Sequence, residues 1–316
     1  MTVSSSHNAE KLSRKTVLVL TGPTASGKKS VARLIASDLH AEILAMDSVK
    51  IYRGMNIGAA KGWGGEGPAH LIDLAEPTET FSTGSYLEAA RRAVSEIRAR
   101  GLLPLFVGGA GLYLFALLRG FFDGPAADAA VRERLRHEAA AAGIEHLHAR
   151  LERIDPATAA RVGKRDSRRI IRALEVFDLT GQPISVLRAE RTRPPIDGIF
   201  RVAGLRWPRD ELDARIHRRL REMFAGDFLD ECRALLARGE LAPEPRGAIG
   251  YREAFACLRG ELDLEEAMTR ATIATRRLAR RQQTWFRQFP EIQWVDVDAT
   301  RRLEDVAAEV KARLSP

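Results

Sequence analysis

TVLVLTGPTASGKKSVARLIA, residues 16–36, decides the fold. It opens on a β-branched and leucine run from Thr16 to Leu20 and passes through a turn, Gly22-Pro23-Thr24-Ala25-Ser26-Gly27-Lys28. It then continues with Val31, Leu34 and Ile35 at helical spacing. Strand, glycine turn with a terminal lysine, and helix, in that order, are the pattern of a phosphate loop. Gly22 and Gly27 allow the backbone to point successive amides at one anion, Lys28 adds charge, and the helix brings its positive end. One position departs from the pattern. The Ser or Thr that ligates Mg²⁺ straight after the lysine is Lys29 here. The nearest hydroxyl, Ser30, is a poor substitute as a metal ligand, because one residue along turns it about 100° round the helix.

Working outward, Ala41 to Met46 reads as a second short strand ending on Asp47-Ser48. In an open parallel sheet ligands sit beyond the carboxyl ends of the strands, so Asp47 is expected near the cradled phosphate, as base or metal ligand. A turn or cap aspartate is the alternative. Residues 65–85 read as loop, with His70 and Asp73 more in keeping with structural roles. A helix is expected from Thr83 to Arg100, stopped by Gly101, then a buried strand from Leu102 to Val107. That strand runs into a second glycine turn, Gly108-Gly109-Ala110-Gly111. From 121 to 200 strand signals fade: residues 126–151 favour helix by composition, and Arg161 to Asp178 reads as a basic amphipathic helix. Phe200 to Leu205 is expected to return as a strand. A helix over Asp210 to Arg221 then sets Arg215 and Arg219 on one face, where two guanidiniums can grip a diphosphate. The last long helix, Leu264 to Phe289, carries arginines beside Trp285 and Phe286, which suits phosphates and stacked bases or an ordinary core. A short amphipathic helix follows Asp298.

The fold expected is therefore α/β, a P-loop-type parallel sheet flanked by helices with an inserted all-helical domain. The core comprises residues 15–122 and 200–316, the insertion residues 123–199, and residues 1–14 read as a disordered tail and not as a signal peptide. At 316 residues the chain is long enough for this. No apolar run approaches the roughly 20 residues of a membrane span. Cys232 and Cys257 make neither a disulfide framework nor a zinc pattern, so a reducing cytoplasm is expected. A net charge of +8 suggests a polyanionic partner. The arginines concentrate in 161–172, 215–221 and 276–287, where they can track phosphates or simply be solvated helix faces.

Seven segments together carry a resemblance: GPTASGK (22–28), DSVKIYRGMNIGAAK (47–61), HLIDLAEPTETFS (70–82), PLFVGGAGLYLFALLRG (104–120), RRIIRALEVFDLTGQPIS (168–185), AIGYRE (248–253) and TRRLARRQQTWFR (275–287). In this order, over about residues 15–289, they resemble the tRNA dimethylallyltransferases, or tRNA isopentenyltransferases. The resemblance implies transfer of a dimethylallyl group from its diphosphate to the exocyclic amine of the adenosine on the 3′ side of the anticodon. Partners would be dimethylallyl diphosphate and a tRNA anticodon stem-loop, with Mg²⁺ as cofactor, a monomeric state and no membrane.

Carried over by position, Asp47, Lys28 and Arg219 would be catalytic. Gly22, Pro23, Thr24, Ala25, Ser26, Gly27, Lys28 and Lys29 would hold the diphosphate. The tRNA would meet Asp47, Ser48, Val49 and Lys50; Ala110; Arg168, Arg169, Ile170, Ile171 and Arg172; Gly247, Ala248, Ile249, Gly250, Tyr251 and Arg252; and Arg280, Arg281, Gln282, Gln283, Thr284, Trp285, Phe286 and Arg287. The sequence departs from the family at Lys29, at Ala110 where relatives carry threonine, and at Gly163-Lys164-Arg165-Asp166 where they carry an HPND-like run. The departures keep open an RNA-binding homologue with impaired catalysis. A prenyltransferase for free adenine nucleotides shares the core and stays open too, although the long basic insertion argues against it.

Overall fold

The structure, a computed structural model, describes residues 15–62, 69–122, 124–125, 127–191 and 196–315; the expected tail, 1–14, lies outside them. In chain order the elements are β1 (Thr16–Thr21), α1 (Lys28–Ala36), β2 (Ala41–Met46), β3 (Ala69–His70), α2 (Thr83–Ala99), β4 (Leu103–Gly108), α3 (Gly111–Arg119), α4 (Ala129–Ala142), α5 (Ile144–Ile154), α6 (Pro156–Ala159), α7 (Ser167–Thr180), α8 (Ile184–Arg191), β5 (Ile199–Arg206), α9 (Arg209–Ala225), α10 (Phe228–Leu236), α11 (Pro243–Arg246), α12 (Tyr251–Leu258), α13 (Leu264–Phe286), β6 (Ile292–Asp296) and α14 (Leu303–Leu314). They form two compact units, residues 15–118 with 196–315, and residues 119–191.

The first unit is a six-stranded sheet, order β3-β2-β4-β1-β5-β6, with every pair parallel. β1 is buried along its whole length, as a central strand covered by helices on both faces requires. β1 and β4 run in step, Leu20 beside Val107, and β2 and β4 likewise, Met46 beside Gly108. Three strands thus finish at one level and put the phosphate loop, Asp47 and the second glycine turn side by side. The ends are tied: Thr21 Oγ1 donates to Gly108 O at 3.0 Å, and Ala110 N to Met46 O at 3.3 Å. A Cβ on Gly108 would lie 1.9 Å from Met46 O, so only glycine lets β4 finish against β2. Gly108→Ala is expected to lower stability by about 3 kcal/mol, the upper end of the range for overpacking, read from urea unfolding.

The helical unit closes on its own apolar core, in which Leu135, Leu147, Leu151, Ile170 and Leu174 are fully buried. Glu175 is buried among them and accepts from Arg132 Nε (2.8 Å), Arg172 Nη1 (2.7 Å) and Asp128 N (2.8 Å). Burial alone would raise its pKa; the bonds from Arg172 and Arg132 reverse that and hold the carboxyl below its ordinary range.

Several sequence expectations are corrected here. The stretch 126–151, read as favouring helix, forms two helices, because Gly143 at φ 88° caps α4 and starts α5. The basic helix begins at Ser167, capped by the Asp166 carboxylate, and not at Arg161. Two edge strands, β3 and β6, add to the expected sheet; β3 is two residues long and lies in the region read as loop, and β6 lies between the two last helices, in a stretch to which the sequence assigns no element.

Candidate active site

The loop between β1 and α1 is braced from outside. Arg215 Nε donates to Ala25 O and Trp207 Nε1 to Ser26 O, both at 2.9 Å, and the Arg215 guanidinium stacks 4.3 Å over the Trp207 ring. Lys28 Nζ reaches back to Pro23 O at 2.6 Å and Ser26 Oγ at 3.2 Å. With its carbonyls held this way, the loop offers its amides and the first turn of α1 to an anion. Ala25 keeps a positive φ of 61°, a strained conformation for an alanine that the bracing sustains. Arg215 is therefore part of the brace. Arg219, one turn on along α9, spans Thr24 Oγ1 (3.4 Å) and Gly58 O (3.3 Å).

Asp47 follows β2 directly. Its Oδ1 accepts from Val49 N at 2.9 Å and Lys50 N at 3.3 Å, so the turn role weighed in the sequence is real. The carboxylate also lies in the field of Lys28, Lys50 and Arg219. Burial, with Lys50 and Arg219 adding to it and Asp47 opposing, brings the Lys28 ammonium down to about 7. Burial likewise brings Lys50 down to about 8, against Asp47 and with Lys29 and Arg219. Both amines titrate near neutrality and lose their charge progressively as pH rises through those values. Anion affinity should accordingly fall as pH rises from about 6.5 to 9, by about tenfold for each positive charge lost. Titrating inorganic pyrophosphate calorimetrically across that range checks this; a flat profile would contradict it.

The segment after Asp47 is pinned by groups distant in sequence. Glu231 on α10 accepts from Asn56 N (2.9 Å), Ile57 N (2.8 Å), Gly58 N (3.3 Å) and the Tyr251 hydroxyl (2.7 Å). Lys29 Nζ donates to Gly62 O at 2.6 Å and Ala60 O at 3.4 Å. Lys61 is buried, donating to Tyr52 O and to Asp73 at 2.5 Å, while His70 pairs with Glu42 at 2.6 Å. Asp73 and His70 are thus structural. Sequence reading missed Glu231; the signal was a carboxylate three residues after Phe228 and four before Leu235, beside the buried stripe of α10.

Across the site, Gln282 of α13 joins the two glycine turns. Its Oε1 accepts from Thr24 N and its Nε2 donates to Gly109 O, both at 2.8 Å. Trp285, one turn on, packs on Gly111, where a Cβ would meet its side chain at 3.2 Å.

A family model described as IPP transferase matches residues 50–289. The tRNA dimethylallyltransferase of Anaeromyxobacter sp. (strain Fw109-5) is 44% identical over 297 residues, 92% of this chain and 99% of that one. That of Bordetella petrii is 44% identical over 94% and 98%. The chain belongs to the IPP transferase family. The crystal structure of the full-length tRNA isopentenylpyrophosphate transferase from Bacillus halodurans, 35% identical, is similar with a TM-score of 0.67 over 95% of this chain and 97% of that one. A eukaryotic dimethylallyltransferase, 22% identical, shares the fold with a TM-score of 0.79 over 93% of this chain and 77% of that one.

As an IPP transferase the chain brings together at one sheet edge the loop residues 22–29, Asp47 to Lys50, Ala110, Arg219 and Gln282. Other positions carried over from the family's motifs are not free to touch RNA by their side chains. Ile170 is fully buried in the helical core, Phe286 is fully buried and packs near Trp294, and Tyr251 is buried with its hydroxyl on Glu231. Their apolar bulk is core, and they support neighbours on the same helices. Arg172 is held by Glu175 and by Pro125 O at 2.8 Å. Arg168, Arg169, Arg252, Arg280, Arg281, Thr284 and Arg287 are exposed. Ser30 is exposed on α1. Among the described residues no helix is long and apolar enough to cross a membrane.

Proposed function

We propose that this IPP transferase moves a dimethylallyl group from dimethylallyl diphosphate to the exocyclic amine of the adenosine on the 3′ side of the tRNA anticodon. The observation that carries the reading is Asp47, set on the end of β2 beside the phosphate loop and in the field of Lys28, Lys50 and Arg219. The bond from the allylic carbon to the diphosphate oxygen breaks with its electron pair leaving on pyrophosphate. Lys28, Arg219 and the loop amides bind that oxygen more tightly as its charge grows, which is where such groups lower a barrier. The amine lone pair forms the new carbon–nitrogen bond. Asp47 then takes the surplus proton; with Oδ1 engaged by two amides, Oδ2 is the oxygen for it.

The base must leave its stack to reach this edge. Exposed Arg168 and Arg169 on α7, and Arg280, Arg281 and Arg287 on α13, supply phosphate contacts suited to an anticodon stem-loop. Ala110 offers no hydroxyl to the base, so its backbone alone contributes there. We take the active form to be a monomer working in the cytoplasm.

Purified protein incubated with labelled dimethylallyl diphosphate and bulk tRNA should transfer label to tRNA, and to an isolated anticodon stem-loop. Salt-sensitive tRNA binding with no transfer would instead mark an RNA-binding homologue, and label on AMP in preference to the stem-loop a nucleotide prenyltransferase.

A further inference from the structure

A P-loop fold implies magnesium at the anion, held by a hydroxyl straight after the loop lysine. The side chains present do not fit that ion. Lys29 stands at the hydroxyl position and turns its ammonium to Gly62 O at 2.6 Å and Ala60 O at 3.4 Å. Ser30 faces solvent. Among the described residues Asp47 is the carboxylate that acts on Lys28, Lys50 and Arg219, and its Oδ1 serves the amides of Val49 and Lys50. Among the described residues no three His, Cys, Asp or Glu side chains gather in a metal-holding group.

What does gather is positive charge. Lys50 acts on Lys28, Lys29 acts on Lys50, and Arg219 acts on all three lysines. Among the described residues Lys28, Lys50 and Arg219 face the Asp47 carboxylate, while Arg33 also acts on Lys29 and Lys61 on Lys50. Positive charge is thus in excess in a partly buried site, which suits a diphosphate ester and repels a further divalent cation. An ammonium has three N–H groups. Toward described residues, Lys28 uses two of them, on Pro23 O and Ser26 Oγ, and Lys29 two, on Gly62 O and Ala60 O, so each keeps one for an anion oxygen. The carbonyl bonds hold Lys29 beside the loop where a freely turning lysine would lose more entropy on binding.

We infer that this chain binds its diphosphate directly with Lys28, Lys29, Lys50 and Arg219, with no divalent cation between anion and protein. Lys29 and Lys50 supply the charge that a metal supplies in a loop ending in Lys-Ser or Lys-Thr. The inference rests on the diphosphate reading of the loop and specifies how that site neutralises its ligand.

The test is a calorimetric titration of inorganic pyrophosphate into the purified full-length protein near pH 6.5, once with excess EDTA and once with millimolar Mg²⁺. Affinity in EDTA should lie within about threefold of that in Mg²⁺. In the Lys29→Thr, Lys50→Gln double variant, affinity in EDTA should fall by about a hundredfold, one power of ten for each charged hydrogen bond removed, and Mg²⁺ should restore much of it. Binding by the unaltered protein only in Mg²⁺ would overturn the inference while leaving the diphosphate site intact. Absence of pyrophosphate binding in both buffers would overturn the site reading and the inference together. Since the unaltered protein alone decides between these outcomes, a misfolded variant does not blunt the test.

Discussion

Asp47→Ala should slow dimethylallyl transfer by about a thousandfold, the middle of the range for losing a general base, with tRNA affinity kept within about threefold. Two consequences of the substitution have to be separated, because the same carboxylate also closes the turn onto Val49 and Lys50. Asp47→Asn does this, since its amide oxygen can still accept hydrogen bonds from both backbone amides and yet cannot take up a proton at neutral pH. If the carboxylate is the base, asparagine and alanine should be equally slow in single-turnover assays with prebound tRNA. If asparagine kept more than about a tenth of the rate, Asp47 would be a turn residue and the proton would have to leave by another route.

Lys28→Met should have the next largest effect, a loss of about a hundredfold or more in kcat, on the scale of removing one preorganised donor to a developing anion. Methionine keeps much of the stem and removes the ammonium, so Pro23 O and Ser26 Oγ lose their donor along with the leaving group. Because charge builds on pyrophosphate as the bond breaks, the loss should fall on kcat more than on KM for the prenyl donor. Product inhibition by pyrophosphate should weaken in parallel. An unchanged kcat with a raised KM would place Lys28 in ground-state binding only.

How much of this was legible in the sequence depended on whether the signal was local. The phosphate loop, its flanking strand and helix, and Asp47 at a strand end each rest on neighbouring residues, and β1, β2 and α1 fall close to where the pattern puts them. Strand β5 emerged from a shorter apolar run and is longer than read. What stayed hidden was long-range. Nothing near Glu231 says that its carboxylate collects three amides from residues 56–58, and nothing near Trp207 or Arg215 says that they brace Ser26 and Ala25. The residues assigned to RNA from motif position divide the same way. A motif marks a stretch of helix, but helical periodicity sends Ile170 and Phe286 inward and Arg169 and Arg287 outward, and only packing decides which face is which.

The Gln282 bridge has a bearing on how such a protein comes into being. Its bond to Thr24 closes over 258 residues, and its bond to Gly109 over 173. A nascent chain displays the glycine-lysine signature almost at once, yet the loop lacks its final partner until α13 has left the ribosome and docked. Any fragment stopping short of that helix would carry the most recognisable motif of the protein without the amide that joins its two turns.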